Sequence, residues 1–325
     1  MMTTKIVTDS SCDLPQEVAK ELDITIVPLY VQVGEKTYRD GIDISPEQIY
    51  NDMYSNDSVV PTTAAASPHD FAETYSKICH DYENIISIHV SSKLSSTLNA
   101  ARQGSEMAAK INCRIEVIDS KLATIALGLV AVAAAKAARA GQSMQNILDN
   151  VSRTIPAIQV FGMLDTLKYA LRGGRLGKVG PLLSSVLPVK PIITIRDGLV
   201  SPVGVVRTRG KGMERLFDMV SSAVNVKEIG IAHSAMEGEV RSIVDKLKSI
   251  VPNVIPTVAN LGPVIGVHGG PGSILMAFQQ EISDQLDTMK KPLVSLPSLH
   301  SIKEGLTHYI QKDTIRPAEF ATGTL

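Results

Sequence analysis

The chain has 325 residues, 44% hydrophobic and 20% charged, which are globular proportions and exclude wholesale disorder. At about 100–200 residues per folding unit, this length fits two domains. With 32 basic against 33 acidic residues the net charge is −1, so no basic surplus exists to neutralise phosphates and no nucleic-acid partner is expected.

Three cysteines, Cys12, Cys79 and Cys113, stand far apart without C-x-x-C spacing. They suit a reducing cytoplasm and argue against a disulfide framework or a cysteine-rich zinc site. Trp is absent, and 5 Phe and 8 Tyr stand beside 11 Met, so the interior is expected to be aliphatic and adaptable. Lys5 and Asp9 interrupt the place where a secretory signal needs unbroken apolar residues. The most apolar stretch, residues 122–135, is Ala-rich and stopped by Lys136. A span needs roughly 20 such residues, so this reads as a buried helix, and no integral membrane segment is expected.

In chain order, residues 5–8 read as a short strand ending in the polar turn Asp9-Ser10-Ser11-Cys12-Asp13, after which Pro15 opens a helix. Residues 24–33 read as one strand and 35–40 as its hairpin return. Ser45-Pro46 and Ser67-Pro68 each mark a helix start. Residues 85–90 and 114–118 are strands, each followed by a hydroxyl-bearing turn and a helix, the second helix covering 123–140. This alternation implies parallel pairing with crossover helices. The second half differs. A strand over 159–163, a helix over 166–171 and a hairpin over 190–207 with an Asp197-Gly198 turn lead into a helix, strand, helix and strand up to 258. His268 then falls between a turn and an expected helix start. The expected domains are 1–160, 161–280 and a C-terminal extension, 281–325. In the extension Leu299, Ile302, Leu306, Tyr309 and Ile310 recur at helical spacing, which suits either a terminal helix packed on its own domain or a docking helix that makes an oligomer.

The densest hydroxyl cluster, Ser91-Ser92-Lys93-Leu94-Ser95-Ser96-Thr97, lies where a parallel strand gives way to a helix. α/β proteins bind ligands at such points, because free amides and the positive helix end favour an anion. Thr62, Thr63 and Asp119-Ser120 are expected on the same edge, although these hydroxyls equally suit plain helix caps. His268, in G-V-H-G-G-P-G, offers an imidazole where glycines let the backbone approach a ligand closely. The other histidines lack metal-ligand spacing, no G-x-S-x-G elbow occurs, and Arg172-Gly173-Gly174-Arg175 lacks the P-loop pattern.

Seven segments occur together and in order: V-T-D-S-S-C-D-L-P, P-T-T-A-A-A-S-P, H-V-S-S-K-L-S-S-T-L-N-A-A, V-I-D-S-K, Y-A-L-R-G-G-R-L-G, K-P-I-I-T-I-R-D-G and G-P-V-I-G-V-H-G-G-P-G. Over residues 5 to about 278 the chain thereby resembles the DegV family of bacterial fatty-acid-binding proteins. The resemblance implies a two-domain α/β fold, with a parallel-sheet N-terminal domain and a mixed-sheet C-terminal domain. It implies one long-chain fatty acid in an internal tunnel, its carboxylate at the domain junction against Thr63, Ser95 and His268. Thr62, Ser96, Thr97 and Ser120 are ligand-proximal candidates, and Arg207 is the candidate for docking a partner, a fatty acid kinase that converts the carboxylate to an acyl phosphate. Such members are non-catalytic carriers with no catalytic residue, cofactor or metal. The family's T-S-Q-P-S has become Thr63-Ala64-Ala65-Ala66-Ser67, losing polar groups near the head group. Two other readings stand beside this one: a dihydroxyacetone-kinase-like enzyme subunit using His268, and an interaction protein with structural lipid.

Overall fold

The computed structural model describes residues 3–55, 60–108, 113–175 and 189–281. Strand β1 (Thr4–Asp9) is buried at every position, as a central strand covered on both faces must be. It pairs in parallel with β2 (Ile24–Val27) and with a strand over Asn84–His89, which pairs in parallel with another over Arg114–Asp119. This four-stranded parallel sheet is the core of the N-terminal domain.

The apolar run 24–33 is two strands, not one. It breaks at Pro28, which has no N–H to donate to a ladder. The second part, β3 (Tyr30–Val33), turns into a separate antiparallel sheet between β4 (Lys36–Arg39) and β5 (Thr62–Ala64). That small sheet puts Thr63 opposite Val31. The strands after β5 are β6 (Asn84–His89) and β7 (Arg114–Asp119).

Helices α1 (Gln16–Glu21) and α2 (Pro46–Ser55) precede α3 (Pro68–Ile78), which starts with a capping box between Ser67 and Asp70. α4 (Thr97–Ala108) crosses α3 at Gly104, where a Cβ would lie 2.5 Å from the Phe71 Cβ. α5 (Thr124–Arg139) is the apolar stretch noted above, and thirteen of its 16 residues are buried. It has no polar face because it packs against β1 and β6 on one side and the C-terminal sheet on the other. Helix α6 (Met144–Ala157), which the sequence reading did not place, then feeds straight into the second sheet.

The C-terminal domain is a mixed six-stranded sheet. It is built from β8 (Ile158–Met163), β9 (Lys190–Arg196), β10 (Leu199–Val206), β11 (Val226–His233), β12 (Thr257–Asn260) and β13 (Ile274–Gln280), in the order β10-β9-β8-β13-β11-β12. Only β11 and β12 run parallel. Its helices are α7 (Lys168–Arg172), α8 (Arg209–Ser221), α9 (Glu237–Ile250) and α10 (Pro263–Gly269). His268 therefore lies in the last turn of a helix, and a strand follows it. Gly270 and Gly272, at φ 77° and 78°, end the helix and turn the chain into β13.

The cysteine expectation is corrected. Cys79, which caps α3, forms a disulfide with Cys113, just before β7, while Cys12 is free and buried. Separation along the chain concealed a pair that α3 and the sheet bring to one edge. Among the described residues no helix is long and apolar enough to cross a membrane. The apolar stripe of the 281–325 extension lies outside the described residues.

Candidate functional site

Where the two domains meet they enclose a cavity of about 320 Å³. Ser11, Thr63, Ala64, Ser95 and Thr124 line it from the N-terminal side, and Leu164, Ile193, Ile195, Val200 and His268 from the C-terminal side. Its wall, among the described residues, has no Phe, Tyr or Trp. It is aliphatic except for Ser11, Thr63, Ser95, Ser96, Thr124, Arg175 and His268. A second chamber of about 90 Å³ lies beyond His268, sharing Thr63, Arg175 and His268 with the first and adding Thr62, Tyr169 and Arg172.

The junction between the chambers is a polar gate. Thr63 Oγ1 is 3.0 Å from His268 Nε2. Burial, and then the positive charge of Arg175, push the His268 imidazole down to about 4, so it is neutral near pH 7. Its Nδ1 is buried without a hydrogen-bond partner among the described residues, against Gly173, where a Cβ would lie 2.1 Å away. A buried N–H without an acceptor is costlier than a bare ring nitrogen, which assigns the proton to Nε2. Nε2–H then donates to Thr63, and the Thr63 hydroxyl is free to donate into the cavity.

The other predicted residues divide. Ser95 Oγ accepts the Thr97 N–H at 3.2 Å and lies 2.8 Å from Thr97 Oγ1, so Thr97, fully buried, orients Ser95 and does not itself line the cavity. Ser96 lines it. Thr62 alternates to the other side of β5 and lines only the smaller chamber and a shallow outer hollow. The Ser120 hydroxyl accepts the Leu122 N–H at 3.0 Å within its own turn and stays outside the cavity. Arg207 is exposed at the end of β10, away from these hollows. Arg172 and Arg175 are not among the residues named for the carboxylate site, because R-G-G-R was weighed as a phosphate loop and as a family segment, not as a wall of these chambers. The glycine between them that must receive an imidazole was the available signal.

Helix α10, which carries His268, is held from the other domain. Asp13 accepts the Gly262 N–H at 2.8 Å and a hydrogen bond from Thr124 at 2.6 Å. Asp40 accepts from Ser10 at 2.7 Å, and the nearby Val264 N–H favours its charged form. Burial pushes both carboxyls up, Asp40 to about 7, against the lowering effect of those hydrogen bonds. Among the described residues no group of three or more His, Cys, Asp or Glu could hold a metal ion.

The fold and its junction cavity define a class, the two-domain α/β proteins with a cavity between a parallel and a mixed sheet. A family model described as "Uncharacterised protein, DegV family" matches residues 3–281, and the chain belongs to the DegV family. It is 33% identical over 279 residues to a DegV domain-containing protein of Caldanaerobacter subterraneus subsp. tengcongensis, covering 85% of this chain and 98% of that one. A fatty-acid-binding DegV family protein from Thermus thermophilus is similar in structure, with a TM-score of 0.78, 28% identity, and coverage of 86% of this chain and 100% of that one. DegV from Bacillus subtilis, a fatty acid binding protein, gives 0.79 at 27% identity over the same shares. A stearic-acid-binding protein from Eubacterium ventriosum gives 0.79 at 26%, covering 85% of this chain and 98% of that one.

Two predictions follow from the gate and its support. The folded state favours the protonated Asp40, so its stabilisation is complete below the unfolded value near 4 and is lost as pH rises through about 7. Urea unfolding between pH 5 and pH 8 should show a fall in the wild type about 2–3 kcal/mol larger than that in Asp40→Asn, since the raised Asp13 carboxyl acts in both; parallel pH profiles would contradict this. Gly173→Ala should push the imidazole aside, so that its NMR titration midpoint moves from about 4 toward the ordinary 6.5. An unmoved midpoint would contradict the packing.

Proposed function

We propose that the junction cavity holds one long-chain fatty acid, its tail along the aliphatic wall and its carboxylate at the Thr63–Ser95–His268 gate, and that the protein is a non-catalytic carrier. The observation that carries this reading is the cavity itself. It has a largely aliphatic lining, Thr63, Arg175 and His268 together where it meets the smaller chamber, and a volume of about 320 Å³, within the range of about 300–1,000 Å³ typical of small-molecule sites. The fatty-acid-binding relatives from T. thermophilus, B. subtilis and E. ventriosum support it.

The energetics agree. Burying about 14 methylenes at ~0.8 kcal/mol each is worth roughly 11 kcal/mol before ordering costs. A carboxylate buried without partners would cancel this. Hydrogen bonds to a charged group contribute roughly 1.5–3 kcal/mol each, so two hydroxyls and the Arg175 charge offset much of the penalty. The Ala64-Ala65-Ala66 departure removes polar neighbours from Thr63 but leaves the Thr63–His268 contact.

Presentation to a fatty acid kinase belongs to the same reading. The smaller chamber, with Arg172 and Arg175 on its wall, gives anionic phosphoryl oxygens a place beside the carboxylate, and the exposed Arg207 suits docking. A cytoplasmic setting follows from that partner and not from the cysteines, since two of the three are paired. The test is affinity. Thr63→Ala combined with Ser95→Ala should weaken palmitate binding at least tenfold in a fluorescence-displacement titration with the fold retained. An unchanged affinity would remove both residues from the site.

A further inference from the structure

Asp9 ends β1 at the point where β1 and its parallel neighbour β6 both leave the sheet, and its carboxylate is fully buried. It accepts from both the N–H (3.1 Å) and the hydroxyl of Ser11, from the Val90 N–H at 3.0 Å, and from His89 Nδ1 at 2.9 Å. His89 Nε2 is 2.7 Å from Ser87 Oγ, which is 2.8 Å from the Tyr75 hydroxyl. With Asp9 as the acceptor, His89 Nδ1 donates, so one consistent direction of donation runs from Tyr75 through Ser87 and His89 to Asp9. The Ser-His-Asp order suggests a nucleophile, but Ser87 has no exposed surface and no substrate can reach it. The Phe71 ring, edge-on to His89 at 5.1 Å, closes the site further.

What the chain does reach is the cavity wall, and it reaches it twice. Ser11 lines the cavity. Val90 lines it too and begins the hydroxyl segment, which then winds on Ser91 through the Leu94 and Ser95 N–H groups. One carboxylate thus fastens the roots of both segments. An Asp buried only for stability has no need to divide its four hydrogen bonds between two stretches of cavity wall.

We propose that Asp9, oriented by His89, is a positioning residue for carboxylate recognition, setting Ser95 at the distance from Thr63 that an acid head group requires. The proposal rests on the fatty-acid reading above and adds the residues that make the gate specific for the acid over a neutral lipid of the same length. A loosened gate affects the head group and leaves the tail wall intact, so the ratio of two affinities separates positioning from general damage.

The test compares palmitate with hexadecanol in the full chain by fluorescence displacement, with thermal unfolding as a check on folding. Asp9→Asn should lower the acid-to-alcohol affinity ratio at least tenfold. His89→Leu should do the same, whereas His89→Asn, which keeps a donor near the Nδ1 position, should restore most of the ratio. Equal losses for acid and alcohol, or an unchanged ratio in Asp9→Asn, would overturn the proposal. If Asp9→Asn does not fold, the His89→Leu and His89→Asn pair decides it, equal ratios being the contrary result. A wild type that binds neither lipid would instead remove the fatty-acid reading.

Discussion

Asp13 and Asp40 belong to the N-terminal domain, yet the backbone group that Asp13 grips, Gly262 N–H, and the Val264 N–H that Asp40 faces belong to the C-terminal one. An acid buried without its donor would be destabilising, so the Asp13–Gly262 bond favours the arrangement of the two domains that supplies it. Gly262 fits between the two acids because it has no side chain; a Cβ there would lie 3.1 Å from Asp13 and 3.4 Å from Asp40. The same grip fixes the start of α10, and its last turn delivers His268 to Thr63 on the other domain. The site therefore exists only in the joined molecule. Tyr50, whose hydroxyl donates to the Leu261 carbonyl at 2.7 Å, adds a third tie at the same place.

Much of the architecture was legible because its signals are local. Pro15, Ser45-Pro46 and Ser67-Pro68 announce helix starts, and the Asp197-Gly198 turn announces the β9–β10 hairpin. The unbroken apolar character of α5 announced burial on all sides, although not that two sheets would supply it. The misreadings share one cause, a tertiary partner that spacing does not encode. Pro28 moved half a strand into another sheet, and Cys79 met Cys113 across 34 residues. Gly270 and Gly272, read as letting the backbone approach a ligand closely, have positive φ angles that end one helix and lead into a strand.

At the site, Thr63, Ser95, Ser96 and His268 were named from their segments and converge on one cavity. Thr97 and Ser120 show the limit of reading hydroxyls: a Ser or Thr at a strand end either meets a ligand or closes its own turn, and only the fold distinguishes the two. Arg175 makes the complementary point. An arginine just past α7 carries no pattern of its own, and it matters because Gly173 seats the imidazole beside it. The same packing bears on the kinase-like alternative. A histidine that carries a covalent carbonyl adduct needs a ring nitrogen turned to substrate, whereas here Nδ1 is pressed on Gly173 and Nε2 is within hydrogen-bond distance of Thr63. The interaction-protein alternative rests on the extension and draws nothing from the junction.

A carrier needs a greasy chamber, a polar stop at one end and no chemistry of its own, and the division of labour between the two domains suits that. Native mass spectrometry of the protein purified without added lipid is the most direct measurement. The account predicts a species heavier than the bare chain by one C14–C18 acid, released on solvent extraction. A single species at the bare-chain mass that stays so after incubation with palmitate would contradict it.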